Sequence, residues 1–401
     1  MTRKLYHGAE PIPECMANVL ACRSSEQGYE VLLDATVFYP EGGGQLSDVG
    51  TLDGAAVSYV YEDEAGGIWH RIDRAFSPGA KVRAVIDVPT RLDHTEQHTG
   101  EHILSGLALE LFGAKNVGFH MAEDYVSIDL DLFLSQEQIE QLEDAANAAI
   151  ARDIPVVMRV MSAGELDSVS LRKQVDGLGE EVRVVSMDGV DCCACCGTHC
   201  KSSALVRLIK ITGVEKYKSG SRVFFLCGSR AMADYRRKHA LVQRLAKRFS
   251  TGVSEVEDAV LRQGEELSDL KREFRARTAR LMDYIARELL GNARAVKGVK
   301  LVCLMQQGWS QAERKQLADA LCIDPGCLML LFVPEGEQIA YTFARGDKVR
   351  LSMKDVCAAA NAAFLGKGGG RDSFAQGSGT LKTGLEQAVE QFEGYVSALL
   401  R

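Results

Sequence analysis

No run of 18 apolar residues occurs in this 401-residue chain, so the sequence offers no helical membrane span. Its first residues, Met1-Thr2-Arg3-Lys4-Leu5-Tyr6-His7, lack the apolar stretch of a secretory signal. No internal repeat and no low-complexity tract is present. An excess of positive charge is also missing: the formal net charge is −8. That balance does not announce a nucleic-acid binder, although an acidic protein can still hold RNA along a local basic stripe. The Walker pattern G-x-x-x-x-G-K-[ST] is absent, and no GxGxxG leads from a strand into a helix. Together these absences imply a cytoplasmic protein whose thiols stay reduced.

What is present is ordinary for a soluble globular protein, with 46% hydrophobic and 25% charged residues. The length suits roughly two to four domains. An α+β multidomain fold is expected. Residues 1–90 read as strands separated by glycine-rich turns and predict a small β-barrel: Tyr29–Leu33, Val57–Tyr61 and Lys81–Ile86 are apolar, β-branched or partly alternating. Residues 91–228 mix helix and strand. Ile103, Leu104, Leu107, Leu111 and Phe112 give His98–Phe112 a helical period, and Glu137–Arg152 is a second helix. Val126, Ile128, Leu130 and Leu132 alternate as one face of a strand. Val182–Val185 and Ala204–Ile211 are further strands. Residues 229–295 are rich in Arg, Lys, Glu, Leu and Ala, with apolar positions mostly three or four apart. They predict a helical arm broken near Ser250-Thr251-Gly252, serving as a spacer or for dimerisation. Residues 296–401 predict an α/β unit with apolar strands at Leu301–Met305, Cys327–Val333 and Gln338–Phe343.

The chain has 12 cysteines, and Cys192, Cys193, Cys195, Cys196 and Cys200 fall within nine residues. In a reduced compartment such a cluster suggests metal binding or redox chemistry. His98-Thr99-Gly100-Glu101-His102 sets two imidazoles one helical turn apart on one face. Cys195-Cys196-Gly197-Thr198-His199 sets a thiol and an imidazole four apart around a glycine. Together His98, His102, Cys195 and His199 make a nitrogen–sulfur set suited to tetrahedral zinc. Three alternatives remain open at this level. His94 can pair with His98, Cys196 can replace Cys195, and the five clustered cysteines can form a structural site of thiolates alone.

These residues resemble a known family. His98–His102 looks like the HTxxH motif of alanyl-tRNA synthetase editing domains. Cys195–His199 is similar to the family's C-G-G-T-H, with Cys196 where a glycine usually stands. Phe38-Tyr39-Pro40-Glu41-Gly42-Gly43-Gly44-Gln45-Leu46-Ser47-Asp48 resembles the F-Y-x-x-x-G-G-Q-x-x-D stretch that precedes the zinc motifs, and Glu181–Val185 also matches. Gly366-Lys367-Gly368-Gly369-Gly370-Arg371-Asp372-Ser373-Phe374-Ala375-Gln376-Gly377 resembles the G-G-G-R-x-x-x-A-Q-x-G signature of the DHH-associated domain. The chain is thus similar to the long form of the AlaX trans-editing proteins, without the synthetase's aminoacylation domain. The resemblance implies a glycine-motif barrel at 1–90, a zinc-binding editing domain at 91–228, the arm at 229–295 and a DHH-associated domain at 296–401.

It further implies a zinc-dependent deacylase acting on Ser-tRNA(Ala), with Gly-tRNA(Ala) as a second substrate. Two rival readings are editing of Ser-tRNA(Thr) and a non-catalytic zinc-containing tRNA-binding module. A pocket built for alanine cannot strongly reject a side chain that only adds a hydroxyl, which is why a second, hydrolytic site is useful. The resemblance nominates Thr36 as a serine sensor, His120 as a pocket residue and Gln45 as a group orienting water or adenosine. Glu101, between the two histidines, is discounted as a base, because it is expected to point away from their shared face. Lys367, Gly368, Gly369, Gly370 and Arg371 are expected to cradle the RNA backbone as a glycine-rich loop. Lys216, Tyr217, Lys218 and Arg222 form a basic-aromatic patch suited to an acceptor stem. A homodimer through the arm or the C-terminal domain is a further expectation.

Overall fold

The computed structural model describes residues 2–8, 12–166, 168–173, 181–380 and 384–400. The chain divides into two compact units, Met1–Leu245 and Ala246–Arg401. Among the described residues no helix is long and apolar enough to cross a membrane.

The first unit begins with a short strand β1 (Arg3–Lys4). It continues through β2 (Glu14–Ser25), β3 (Gly28–Leu33), β4 (Ala35–Thr36), β5 (Gly50–Leu52), β6 (Ala55–Glu62), β7 (Ile68–Ile72) and β8 (Lys81–Ile86). Six of these close a barrel in the order β2-β3-β7-β6-β5-β8, and β1 pairs in parallel with β4. Alternation selects the inward face: Ala55, Val57 and Val60 of β6 and Val82, Ala84 and Ile86 of β8 are buried. They pack with Val31, Leu33, Phe38, Leu52 and Ile68.

An imidazole lies within this apolar interior. His70 is fully buried, with Nδ1 3.1 Å from Val31 O and Nε2 2.7 Å from Thr36 Oγ1. A carbonyl only accepts, so Nδ1 carries the proton and the Thr36 hydroxyl donates to Nε2. Phe38 N donates in turn to Thr36 Oγ1 at 3.1 Å.

Helix α1 (Val88–Phe112) follows at once. Asp87 caps it by accepting from Thr90 N, Pro89 occupies its first turn, and Gly113 ends it with φ 69. It starts ten residues before the helix expected at His98. The apolar period misses this half, because residues 91–102 bury a mainly polar face. Beyond it come β9 (Asn116–Met121), β10 (Val126–Leu130), α2 (Gln136–Ala151), β11 (Val156–Ser162), the single turn α3 (Ala163–Leu166), β12 (Glu181–Met187), β13 (Asp191–Ala194), β14 (Ile209–Tyr217), β15 (Gly220–Cys227) and α4 (Gly228–Phe249).

Two antiparallel sheets result, β14-β15-β10-β9 and β11-β12-β13. Their core joins α1, α2 and both sheets through Ile103, Leu104, Leu107, Ile128, Leu142, Val185 and Phe225. Two expectations change here. Leu132 lies beyond the end of β10 and is 45% exposed, while Ser127 and Asp129 are buried, so this strand is covered on both faces. Residues 203–206 form a 3₁₀ turn rather than a strand, ended by Arg207 at φ 67.

The second unit contains α5 (Val256–Gly291), which follows the break at Ser250 (φ 51). Next come β16 (Arg294–Val296), β17 (Val299–Met305), α6 (Gln311–Leu321), β18 (Cys327–Glu335), β19 (Gln338–Arg345), α7 (Met353–Ala363), β20 (Lys367–Arg371), β21 (Phe374–Thr380) and α8 (Leu385–Leu399). The sheet runs β16-β17-β18-β19-β21-β20, with only β17 and β18 parallel. Apolar side chains cover both of its faces, with Leu328, Leu330 and Phe332 on one and Met329, Leu331 and Val333 on the other. The stretch expected as a glycine-rich loop is instead the edge strand β20. Its residues pair with β21 from Lys367↔Ser378 to Arg371↔Phe374. A Cβ at Gly368 would lie 2.4 Å from Gly377 Cα, and one at Gly370 2.2 Å from Phe374 O, so these glycines permit close pairing.

Burial pushes His70 down to about 4, against the hydrogen bond to Val31. A folded value below the unfolded one, about 6.5, means that unfolding takes up a proton between the two. Stability from this group is therefore complete above pH 6.5 and is lost as pH falls toward 4. Denaturant unfolding followed by Trp69 fluorescence should show the advantage of wild type over His70→Gln shrinking across that window, by about 3 kcal/mol. A gap that stays constant would contradict the assignment.

Candidate metal centre

Two stretches far apart in the chain meet at one point. His98 and His102 are one turn apart on α1. Cys195 and His199 lie in the loop that leaves β13. One ligand atom from each of the four lies within 4.8 Å of all the others. Cys195 Sγ is 3.4 Å from His98 Nε2 and 3.3 Å from His199 Nε2. His98, His102 and His199 are buried and Cys195 is half-buried. His94, the alternative partner of His98, is outside this group and is buried with Nδ1 unpaired. Cys196 is exposed, and the group contains no other cysteine of the cluster among the described residues.

Each ring is aimed by what its other nitrogen meets. His98 Nδ1 donates to Gln45 Oε1 at 2.6 Å, which leaves Nε2 facing the sulfur. Gln45 Oε1 also accepts from Thr198 N at 3.1 Å, and Gln45 Nε2 donates to Thr198 Oγ1 at 2.9 Å. Gln45 is thus wholly buried with both ends of its amide engaged. It holds the two ligand segments together. His102 Nδ1 donates to Asp191 Oδ2 at 2.7 Å. Arg183 of β12 gathers the cysteine loop, donating to Cys195 O at 2.7 Å and Gly197 O at 3.0 Å. Gly197 is needed for proximity: a Cβ there would lie 2.1 Å from His98 Cε1.

A cleft of about 720 Å³ opens on the group, lined by His98, Glu101, His102, Asn116, Phe119 and Cys195 among others. This is ample for a small-molecule ligand. Lys4, Lys173 and Arg183 add positive charge to the lining and Glu41, Glu62 and Glu181 negative charge. Glu101 departs from expectation, because it lines this cleft. It is three residues after His98, and i,i+3 positions are neighbours on a helix. Its Oε1 accepts from Ser105 Oγ and Asn116 Nδ2, each at 2.7 Å, and Oε2 lies 3.6 Å from His102 Nε2.

Thr36 does not line this cleft; its hydroxyl is spent on His70 inside the barrel. His120 does not line it either. Its side chain is 60% exposed, lies 3.9 Å from Asp129 and borders a smaller hollow beside Gly42–Gln45. Of the basic-aromatic patch, Arg222 lies 4.1 Å over the ring of Tyr217 and donates to both oxygens of Asp129, at 2.6 and 2.8 Å. The roles of Asp191, Arg172, Arg183 and Asn116 are not signalled by the sequence, although Arg183 lies within the matching stretch Glu181–Val185 and Asp191 one position before the first clustered cysteine.

The charges suit a cation. Burial opposes ionisation of Cys195, but His98 and His199 outweigh it and hold the thiol well below its usual range. Burial pushes His199 down to about 3, keeping a neutral imidazole. At His102 burial is outweighed by Glu101 and Asp191, which push its pKa well above the usual imidazole range, so this ring carries a proton that a metal ion must displace. A thiolate and neutral imidazoles are the forms that coordinate metal.

Comparison with known proteins follows the same division. Residues 182–223 match the family described as the threonyl and alanyl tRNA synthetase second additional domain, and residues 297–398 match the DHHA1 domain. Alanyl-tRNA editing protein AlaX-L of Pyrococcus horikoshii is 29% identical over 396 residues, covering 94% of each chain. Alanyl-tRNA editing protein Aarsd1 of Mus musculus is 34% identical over 237 residues, 58% of this chain and 57% of that one. Alanine–tRNA ligase of Pyrococcus abyssi is 27% identical over 402 residues, 97% of this chain and 43% of that one.

The substitution Gly197→Ala should displace His98 and weaken binding of Zn2+ or Co2+ about tenfold or more, read by competition with a chromophoric chelator. Unchanged affinity would show that His98 does not depend on this approach.

Proposed function

We propose that this chain, which resembles the long-form AlaX-type alanyl-tRNA editing proteins over nearly its whole length, is an aminoacyl-tRNA deacylase that hydrolyses Ser-tRNA(Ala) with the help of zinc. The observation that carries the reading is the convergence of His98, His102, Cys195 and His199, the first three of which line one cleft, in a chain whose full-length relative is named an alanyl-tRNA editing protein. The donor set fits zinc. With Zn–S near 2.3 Å and Zn–N near 2.0 Å, tetrahedral bonding sets sulfur and nitrogen about 3.5 Å apart. The separations of 3.3 and 3.4 Å about Cys195 agree.

When bound, zinc supplies a fixed positive charge that polarises or orients the ester. The chain's own residues supply the remainder. Four protein donors fill a tetrahedral shell, so the attacking water is held by a neighbouring group, and Glu101 is the best situated. Its Oε1 is fixed by Ser105 and Asn116, and Oε2 borders the cleft beside His102. Oε2 accepts the water's proton as its oxygen bonds to the ester carbonyl carbon. The carbon–oxygen bond to the ribose then breaks, and the terminal hydroxyl of the tRNA leaves with a proton, freeing the amino acid. Asn116 at the cleft wall is committed to Glu101, Ser105 and Gly118, and Thr36 to His70, so neither amide nor hydroxyl stands free for a serine side chain. Selection of serine over alanine follows if a buried polar group would go unpaired against the alanyl ester. Lys367 and Arg371, at the two ends of the exposed strand β20, provide charge for an RNA backbone.

The zinc-loaded protein should deacylate Ser-tRNA(Ala) and spare Ala-tRNA(Ala). His102→Ala and Cys195→Ala should each lose both the metal and the turnover, while Glu101→Gln should keep the metal and lose about 100-fold or more in kcat. Release of serine from Ser-tRNA(Thr) alone would move the substrate to the threonine system. No release from any of the three substrates by zinc-loaded protein would leave a binding module.

A further inference from the structure

The two helix-borne imidazoles are aimed by different partners. Behind His98 stands the neutral amide of Gln45; behind His102 stands the carboxylate of Asp191, whose side chain is 1% exposed. Asp191 is itself gripped. Its Oδ1 accepts from Arg172 Nε at 2.7 Å, and the backbone N–H of Arg172 donates to Cys192 O, also at 2.7 Å. Arg172 serves mainly Oδ1, since its Nη2 stands 3.5 Å from Oδ2, and Oδ2 is left to accept from His102 Nδ1.

Helix α1 contains the missing piece. Gly106 lies four residues after His102 and so stacks one turn beyond it on the same face. Glycine inside a helix costs about 1 kcal/mol relative to alanine, which calls for a reason. A Cβ at Gly106 would stand 2.1 Å from Val190 O and 2.9 Å from Asp191 Cβ. The backbone of Val190 and Asp191 therefore occupies the room that a side chain would take, and this close approach brings the carboxylate within reach of His102 Nδ1.

We propose that Asp191, admitted against α1 by Gly106 and clamped by Arg172, is the positioning residue that keeps the His102 proton on Nδ1 and thereby presents Nε2 as a metal ligand. The inference rests on the metal reading of the four-residue group. A carboxylate without its proton only accepts, so the nitrogen facing it must donate and the opposite nitrogen keeps its lone pair. With that partner removed, the ring is free to change tautomer or to turn, and the ligand set loses its alignment.

The experiment measures zinc affinity of the full chain by chelator competition, alongside the absorption spectrum of the Co2+-loaded protein, whose thiolate-to-metal band reports the geometry at Cys195. Wild type is compared with Asp191→Asn, Asp191→Ala and Gly106→Ala, and each metal-free protein is checked by circular dichroism and thermal unfolding. The expected result is zinc binding about 10- to 100-fold weaker in all three, with the cobalt band altered and the metal-free circular dichroism of Asp191→Asn retaining the wild-type shape. Should Asp191→Ala fail to fold, the nearly isosteric Asp191→Asn decides. Zinc bound as tightly by Asp191→Asn and Gly106→Ala as by wild type would overturn the proposal while leaving the metal reading intact. Absence of zinc binding by wild type itself would overturn both. Affinity is read without tRNA, so the outcome does not depend on which ester the protein cleaves.

Discussion

The buried ion pair between Arg91 and Asp48 sets the geometry on which the centre depends. Both side chains are almost wholly inaccessible to water. Arg91 Nε donates to Asp48 Oδ1 at 2.9 Å, Arg91 Nη2 donates to Val37 O at 2.7 Å, and Tyr39 N donates to Asp48 Oδ2 at 2.5 Å. Removal of one partner from such a pair typically costs about 3–5 kcal/mol, because the other charge is left in a medium that cannot solvate it. The pair therefore locks the segment that leaves the barrel onto the first turn of α1. Gln45 lies three residues before Asp48, and His98 lies two turns after Arg91. Their 2.6 Å contact follows from that one joint. Barrel and helix act as a single rigid part at this point, which a precisely aimed imidazole requires.

From the same joint one can see why some of the site is legible in the sequence and some is not. The four grouped residues stand in two pentads, and a four-residue spacing on a helix or around a glycine is a local geometric statement. The barrel could be foreseen because alternation in Val57–Tyr61 and Lys81–Ile86 is also local. Gln45, Asp191 and Gly106 owe their roles to contacts with residues 53, 89 and 84–85 positions away in the chain. No periodicity carries such information. Gln45 shows the same limit: a glutamine after three glycines suggests an open loop, whereas the joint at Asp48 brings its amide to His98 and Thr198. Glu101 lines the cleft, against the expected orientation, because a position three residues on from His98 is still its neighbour on the helix.

Thr36 and the C-terminal glycines share another lesson. A hydroxyl or a glycine tract announces capability, and the fold decides what that capability is used for. Thr36 donates to His70, the one imidazole in an apolar barrel, where an unpaired nitrogen would be costly. Gly368 and Gly370 enable a close strand pair on one side of β20 and leave its outer edge open. In both cases a backbone or ring partner took up the group that the motif seemed to hold in reserve.

Strand β20 lies at the edge of its sheet, with a row of glycines between a lysine and an arginine. Exposed edges invite other strands, and this one has few side chains to obstruct them. Its end charges supply a safeguard. Antiparallel pairing with an identical strand, centred on Gly369, would set Lys367 opposite Arg371; parallel pairing would set each cation against its own copy. Either register brings like charges face to face. Self-pairing in these two registers is opposed, whereas a guest of opposite sign is attracted to the same rim.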